Sequence, residues 1–367
     1  MTHLDGGTGI SEEPRWRELV APYRNPHLWR SLWQLTNTLV PFLLTWYLMY
    51  LSLSYSYWLT LGLAPLAAGF QLRLFIIFHD CGHQAFFKSQ KINDIVGSIC
   101  GFFCFTPYYH WRHSHAIHHA TTGNLGRRVE GEILPLSLKN YTQTNGHIFT
   151  LTVKEYQQST KWQKLIYRIY RNPILFFLVT PFFLFVVLHR FTSPHAAKRE
   201  RYSVYGNNLA LLGVGLALAF TIGLEPLLLV ELPIVYFAAC AGVWLFYVQH
   251  QFEDSYWEQS GKWSFVSAAM RGSSYYKLPK ILQWFTGNIG FHHIHHLSPR
   301  IPNYYLQKCH NASPWFAQTN FITFRAGLKS VLLRLWDEEE QKMVGCGVNR
   351  PNMLRSKNIY KLLISFL

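Results

Sequence analysis

Charge is scarce in this chain. Only 14% of its 367 residues are Asp, Glu, Lys or Arg, against 49% hydrophobic and 17% aromatic. Two soluble domains would fit the length, but so little charge argues for one membrane-embedded body. Acidic residues are scarcer still, 19 against 34 Lys and Arg, which leaves a net charge of +15. That excess suits the cytoplasmic loops of a multi-spanning protein, and also anionic headgroups or an acidic partner protein. No nucleic-acid partner is expected. Cysteine is limited to six scattered residues with no CxxC pair, so neither a disulfide framework nor a thiolate zinc site is expected, and the compartment reads as reducing. The first thirty residues carry Glu12, Glu13, Arg15 and Arg17 and no short apolar core, so no cleavable signal peptide is evident. Internal repeats and low-complexity segments are also missing.

What the chain does have is long apolar runs. Leu35 to Leu53 and Tyr57 to Phe78 read as one membrane hairpin, and Asn208 to Leu224 and Leu232 to Val248 as a second. The second pair is short for a bilayer core of about 20 residues, with a turn holding Glu225, Pro226 and Glu231. Arg15, Arg17, Arg24 and Arg30 precede the first run and put the N-terminus inside. A fifth run, Pro173 to Leu188, is basic at both ends and is expected to lie in the interface or dip in and out. Ile95 to Thr106 is too short to cross. Arg73, within the second run, is expected to snorkel to the interface. Phe321 to Trp336 reads as a helix whose stripe of Phe321, Phe324, Leu328, Val331, Leu332 and Leu335 packs on the body or rests on lipid. The expected fold is an all-α integral membrane protein of four transmembrane helices with a histidine-rich cytoplasmic cap and interfacial helices. Its parts are a cytoplasmic segment 1–30, a main domain 31–344 and a C-terminal tail 345–367.

Histidine is the other abundance. Twelve of eighteen fall into HDCGH (His79 to His83), HWRHSHAIHH (His110 to His119), HHIHH (His292 to His296) and the lone His250, each beside an apolar stretch. At about 100° per residue, positions on a helix sort by direction. His79 and His83 stack on one face; His115, His118 and His119 share an arc, as do His292, His295 and His296, both triplets reading HxxHH. With four spans, all three clusters and His250 emerge on one face. Nine nitrogen donors would satisfy two metals at four or five each. Imidazole alone does not choose between zinc, copper, iron and nickel, but nine donors with positions left for oxygen suit two irons better than zinc. This points to an oxygen-activating enzyme acting on an apolar substrate. Outer partners of the ligands are expected among Asp80, Glu130, Glu132, Glu253, Asp254 and Asn288, the last holding a metal-bound water or capping a helix, while His110, His113 and His293 are expected as outer partners or substrate-channel groups. His147, His189, His195 and His310 read as ordinary polar histidines.

The motifs HDCGHQAFF, HAIHHATTGNL, VQHQFEDSYW and NIGFHHIHHLSPRIPNYYL together resemble the membrane fatty acid desaturases, most nearly the bacterial and cyanobacterial acyl-lipid branch with the omega-6 (delta-12) enzymes. The likeness runs from about Pro22 to Val344. It implies a non-haem di-iron centre on His79, His83, His115, His118, His119, His250, His292, His295 and His296, with O2 as co-substrate. It further implies an acyl-lipid or acyl-CoA substrate, a cis double bond as product, and a separate ferredoxin or b-type cytochrome as electron donor. The location implied is a bacterial plasma membrane or cyanobacterial thylakoid, with the site on the cytoplasmic face. RRVEGEI at Arg127 to Ile133 departs from the family pattern, which has a glycine directly after the paired arginines. Two readings compete: hydroxylation or ketolation of an acyl chain or carotenoid on the same scaffold, and a histidine-lined metal transporter. The latter would need ionisable ligands within the membrane depth rather than beyond the ends of the runs.

Overall fold

The computed structural model describes residues 15–128 and 148–347, and these are mostly helical. A short helix α1 (Trp16–Val20) leads into α2 (Leu28–Ser52), so the expected boundary at residue 30 falls inside a helix. Ser56 turns the chain and caps α3 (Tyr57–Gly82) through its hydroxyl, and Ser52 meets Thr60 across the hairpin at 2.7 Å. Next come α4 (Gln90–Phe103) and α5 (Tyr108–Thr121), each 14 residues and about 21 Å long, too short to cross a bilayer. Their connection still needs its backbone satisfied: Gln71 of α3 donates to the Phe103 carbonyl at 2.6 Å and Arg190 donates to that of Phe105. Helices α6 (Val153–Gln158), α7 (Lys161–Tyr170) and α8 (Thr180–Val186) follow, with a π-helical turn at Leu175–Val179 before α8. The apolar run expected to lie in the interface or to dip in and out is bent by 47° against α7, the geometry of a broken span or a re-entrant loop.

The second hairpin differs from expectation. Helices α9 (Lys198–Ile222) and α10 (Leu224–His250) have 25 and 27 residues, long enough for a bilayer core without thinning. The turn is Gly223 alone, at φ +95°, a conformation open to glycine. Glu225, Pro226 and Glu231 belong to α10 instead, because Pro fits the first helical turn and Trp46 donates to the Glu231 carboxylate at 2.8 Å. Among the described residues α3, α9 and α10 are the helices long and apolar enough to cross a membrane. Helix α2 has 25 residues but is not among them, and it buries Ser31, Gln34, Thr38, Thr45 and Ser52 along its inner face.

Arg73 does not snorkel. It is 7% exposed, donates to Thr38 at 3.1 Å and to the Trp284 carbonyl, and lies 3.9 Å over the Trp284 ring. Partners on α2 and on α12 (Lys280–Phe285) satisfy it internally, so no path to water is needed. The remaining helices α11 (Phe265–Met270), α13 (His292–Leu297), α14 (Asn303–His310) and α15 (Phe324–Ser330) surround the end of α10 with small strands. Phe321 to Trp336 is not one helix. It splits into β3 (Phe321–Ile322), α15 and β4 (Leu335–Asp337), because parallel pairing with β2 (Tyr275–Tyr276) and β1 (Leu151–Thr152) claims its two ends. Phe321, Phe324 and Leu328 remain exposed. All six cysteines are free.

Candidate metal centre

Four separate pieces of chain carry the histidines to one place. His79 lies in the last turn of α3 and His83 caps its end; the second cluster rides on α5, His250 ends α10, and the third cluster is α13. The nine imidazoles form two groups, His79, His83, His115, His119 and His295 in one, and His118, His250, His292 and His296 in the other. Within each, the donor atoms lie within 4.8 Å of one another. Neither HxxHH triplet stays together. His115 and His119 serve the first group while His118 serves the second, and His295 parts from His292 and His296 in the same way.

The spacing suits shared cations. Nε2 of His119 lies 3.1 Å from that of His115 and 2.9 Å from that of His295. Nε2 of His292 lies 2.9 Å from that of His250 and 3.1 Å from that of His296, and His118 stands 3.2 Å from His250. Ligands at right angles on a metal–imidazole bond of about 2.1 Å are separated by about 3.0 Å. The Nε2 atoms of His119 and His250 each face two other ring nitrogens, and one N–H or one lone pair makes only one well-aligned bond there, so a shared cation fits these contacts better than hydrogen bonds do. The buried Nε2 of His83 has no hydrogen-bond partner among the described residues. An all-imidazole donor set fits a first-row transition metal, and both groups fit one ion each.

Outer contacts orient some of the rings. The Asp80 carboxylate takes His79 Nδ1 at 3.2 Å, the Gly272 carbonyl takes His250 Nδ1 at 3.1 Å, and Thr122, one turn after His118, lies 3.4 Å from its Nδ1. Trp111 stacks on His115 at 4.3 Å. Other expected partners fall elsewhere. His113 is exposed on the far side of α5, and Glu253 and Asp254 are exposed in the loop after α10. His293 is buried but points off the shared arc to His310, 3.0 Å away. Asn288 neither caps α13 nor faces the ligands: with φ +59° it turns the chain, accepting from Gln283 at 2.9 Å and donating to the Asn303 carbonyl at 3.3 Å. His110 lines the cavity that also reaches His79, His115 and His292, 4.0 Å from Glu200. Glu130, Glu132, His147 and the segment Val129 to Ile133 lie outside the described residues. Sequence reasoning missed Gly272, and only the i+4 spacing of Thr122 from His118 was there to be read.

Burial pushes His83, His115, His119, His292, His295 and His296 well below the ordinary histidine value, and the crowded neighbouring imidazoles push the same way. The site therefore presents neutral rings at neutral pH, the form a metal needs. In the unfolded chain the same rings titrate near 6.5. Folded values below that make stability full above about pH 6.5 and declining as pH falls, with protons also competing for the metal. Bound metal, followed by elemental analysis after gel filtration at stepped pH, is expected to hold at pH 7.5 and to leave progressively below about pH 6.

A cavity of about 270 Å³ runs along α3 and α10 past Leu72, Phe75, Ile76, Val235, Ala239 and Gly242 to His79, His115 and His292. An apolar channel ending on a polyimidazole centre is a site for oxidising a hydrocarbon chain. Residues 55–327 match the family model for fatty acid desaturases. The chain belongs to the fatty acid desaturase family. Over 325 residues it is 46% identical to a fatty acid desaturase of Bacillus subtilis (strain 168), covering 89% of this chain and 88% of that protein. It is 27% identical over 274 residues to the sn-1 oleoyl-lipid 12-desaturase of Synechocystis sp. (strain ATCC 27184 / PCC 6803 / Kazusa), covering 72% and 71%. A third relative, the sn-1 acyl-lipid omega-3 desaturase (ferredoxin) of Nostoc sp. (strain 36), is 28% identical over 253 residues, covering 65% and 63%. The desaturase is thus a membrane oxidoreductase of fatty acid metabolism, and its histidine clusters form two groups that could each hold a metal ion.

Proposed function

We propose that this desaturase holds one iron in each histidine group and inserts a cis double bond into a lipid-linked acyl chain lying in the cavity. The carrying observation is the cavity itself, because its apolar wall is continuous with His79, His115 and His292, which belong to both groups. Iron bound there, with dioxygen and two electrons from a separate donor, supplies the oxidising power that an unactivated methylene requires. The chain's own residues do the positioning. Phe75, Trp111, Phe185 and Phe246 grip the acyl chain by packing and exclude water from it. His110, on the same wall, lies along the channel rather than at the metals. Asp80 fixes the tautomer of His79 by accepting from its Nδ1.

The proposed topology has four spans, α2, α3, α9 and α10, with α5 and α11 to α14 forming a cytoplasmic cap. Arg15, Arg17, Arg24 and Arg30 ahead of α2 favour that sidedness. The relatives named as acyl-lipid enzymes favour a glycerolipid carrier, and the one named with ferredoxin favours that donor. The chain's +15 charge suits an acidic donor protein, ferredoxin or a b-type cytochrome. The decisive experiment is the lipid profile of a host lacking polyunsaturated lipids, with and without the gene. A new cis-unsaturated chain esterified in membrane lipid is expected, together with two irons per purified chain. A hydroxylated fatty acid would move the reading to a hydroxylase; bound zinc with no oxygen consumption would overturn it.

A further inference from the structure

The back of His79 is tied to two distant parts of the chain. Asp80 gives one carboxylate oxygen to His79 Nδ1 at 3.2 Å, and its other oxygen accepts from the backbone N–H and the side-chain amide of Asn303, at 2.7 and 2.8 Å. Gln34 of α2 then donates to the Asn303 side-chain oxygen at 3.0 Å. All four residues are at most 4% exposed. A buried carboxylate without partners is expensive; here three donors satisfy it and hold its orientation. Among the described residues no other member of the five-histidine group has a carboxylate at its ring. The four-histidine group is held differently, through the Gly272 carbonyl behind His250.

We infer that Asn303 and Gln34 are positioning residues for one metal position only: through Asp80 they hold His79 in the Nδ1–H form, so that Nε2 presents its lone pair to the five-histidine group. The physical chain is short. Gln34 fixes the rotamer of the Asn303 amide, that amide fixes the Asp80 carboxylate, and the carboxylate fixes the ring.

This inference rests on the two-metal reading above, and the test separates the two. The purified full-length chain, stripped of metal, is titrated with ferrous iron. The unsubstituted chain is expected to bind two equivalents; failure there would count against the two-metal reading, not against the positioning role of Asn303 and Gln34. In Asn303→Leu, one equivalent is expected to weaken by roughly 10–100-fold while the other keeps its affinity. Gln34→Leu, which leaves both Asn303 donors in place, is expected to weaken the same equivalent by less. His250→Ala, which leaves three donors in its group, is expected to weaken the other equivalent, and combining it with Asn303→Leu should weaken both. Two equivalents at unchanged affinity in Asn303→Leu would overturn the inference. So would equal weakening of both equivalents in Gln34→Leu, because a merely structural residue would loosen the whole centre.

Discussion

With His118 and His296 both changed to alanine, the desaturase is expected to form no detectable double bond in a host lacking polyunsaturated lipids. The two rings lie in the four-histidine group, where His296 stands 3.1 Å from His292 and His118 stands 3.2 Å from His250. Removing them leaves His250 and His292, too few donors for an ion that expects at least three protein ligands. The loss should exceed the roughly 100-fold that removal of an outer partner produces. It should come with iron falling from two per chain toward one, the five-histidine group being intact. Product formation at the original rate in the double variant would sink the assignment of these rings as ligands. Thermal unfolding in detergent serves as the control, since burial of two new cavities weakens packing without emptying the neighbouring group.

Filling the channel is expected to have the second-largest effect. Gly242 on α10 faces Leu72, and a Cβ there would meet Leu72 at 3.8 Å, an ordinary contact. The first added atom therefore fits, and the rest of a larger side chain enters the space beside Ala239 and Val235. Gly242→Phe is expected to lower desaturation of long acyl chains by about 100-fold or more, because each methylene excluded from an apolar pocket is worth about 10–200-fold in specificity. Shorter chains should suffer less, and iron content should not change. Competition between acyl chains of two lengths in one membrane, read by gas chromatography, checks it. Equal loss at both lengths would mean that Gly242 acts on the fold rather than on the substrate path.

The histidines were legible in the sequence because helical phase acts locally: residues four apart on α3 or three and four apart on α5 must share a face whatever surrounds them. The division of each triplet between two groups was not legible, since it depends on where α13 docks against α5. The same limit explains the outer partners. Thr122 is one turn from its histidine, whereas Asn303 and Gly272 reach theirs only through tertiary packing. Arg73 looked like an interfacial residue because hydropathy cannot see Trp284 and Thr38 waiting inside. The turn between α9 and α10 was misplaced because Glu225 and Pro226 are equally good turn formers and first-turn helix residues. Strand pairing at β3 and β4 overrode a stripe that by periodicity alone read as one continuous helix.

The shared parentage of the two histidine groups limits how the centre can vary. His115, His118 and His119 belong to one helical turn, yet they supply opposite groups, and His292, His295 and His296 repeat the pattern. The separation of the two groups is consequently built into the pitch of α5 and α13. Neither pocket can drift, widen or be retuned by sliding one of these helices without dragging its neighbour along.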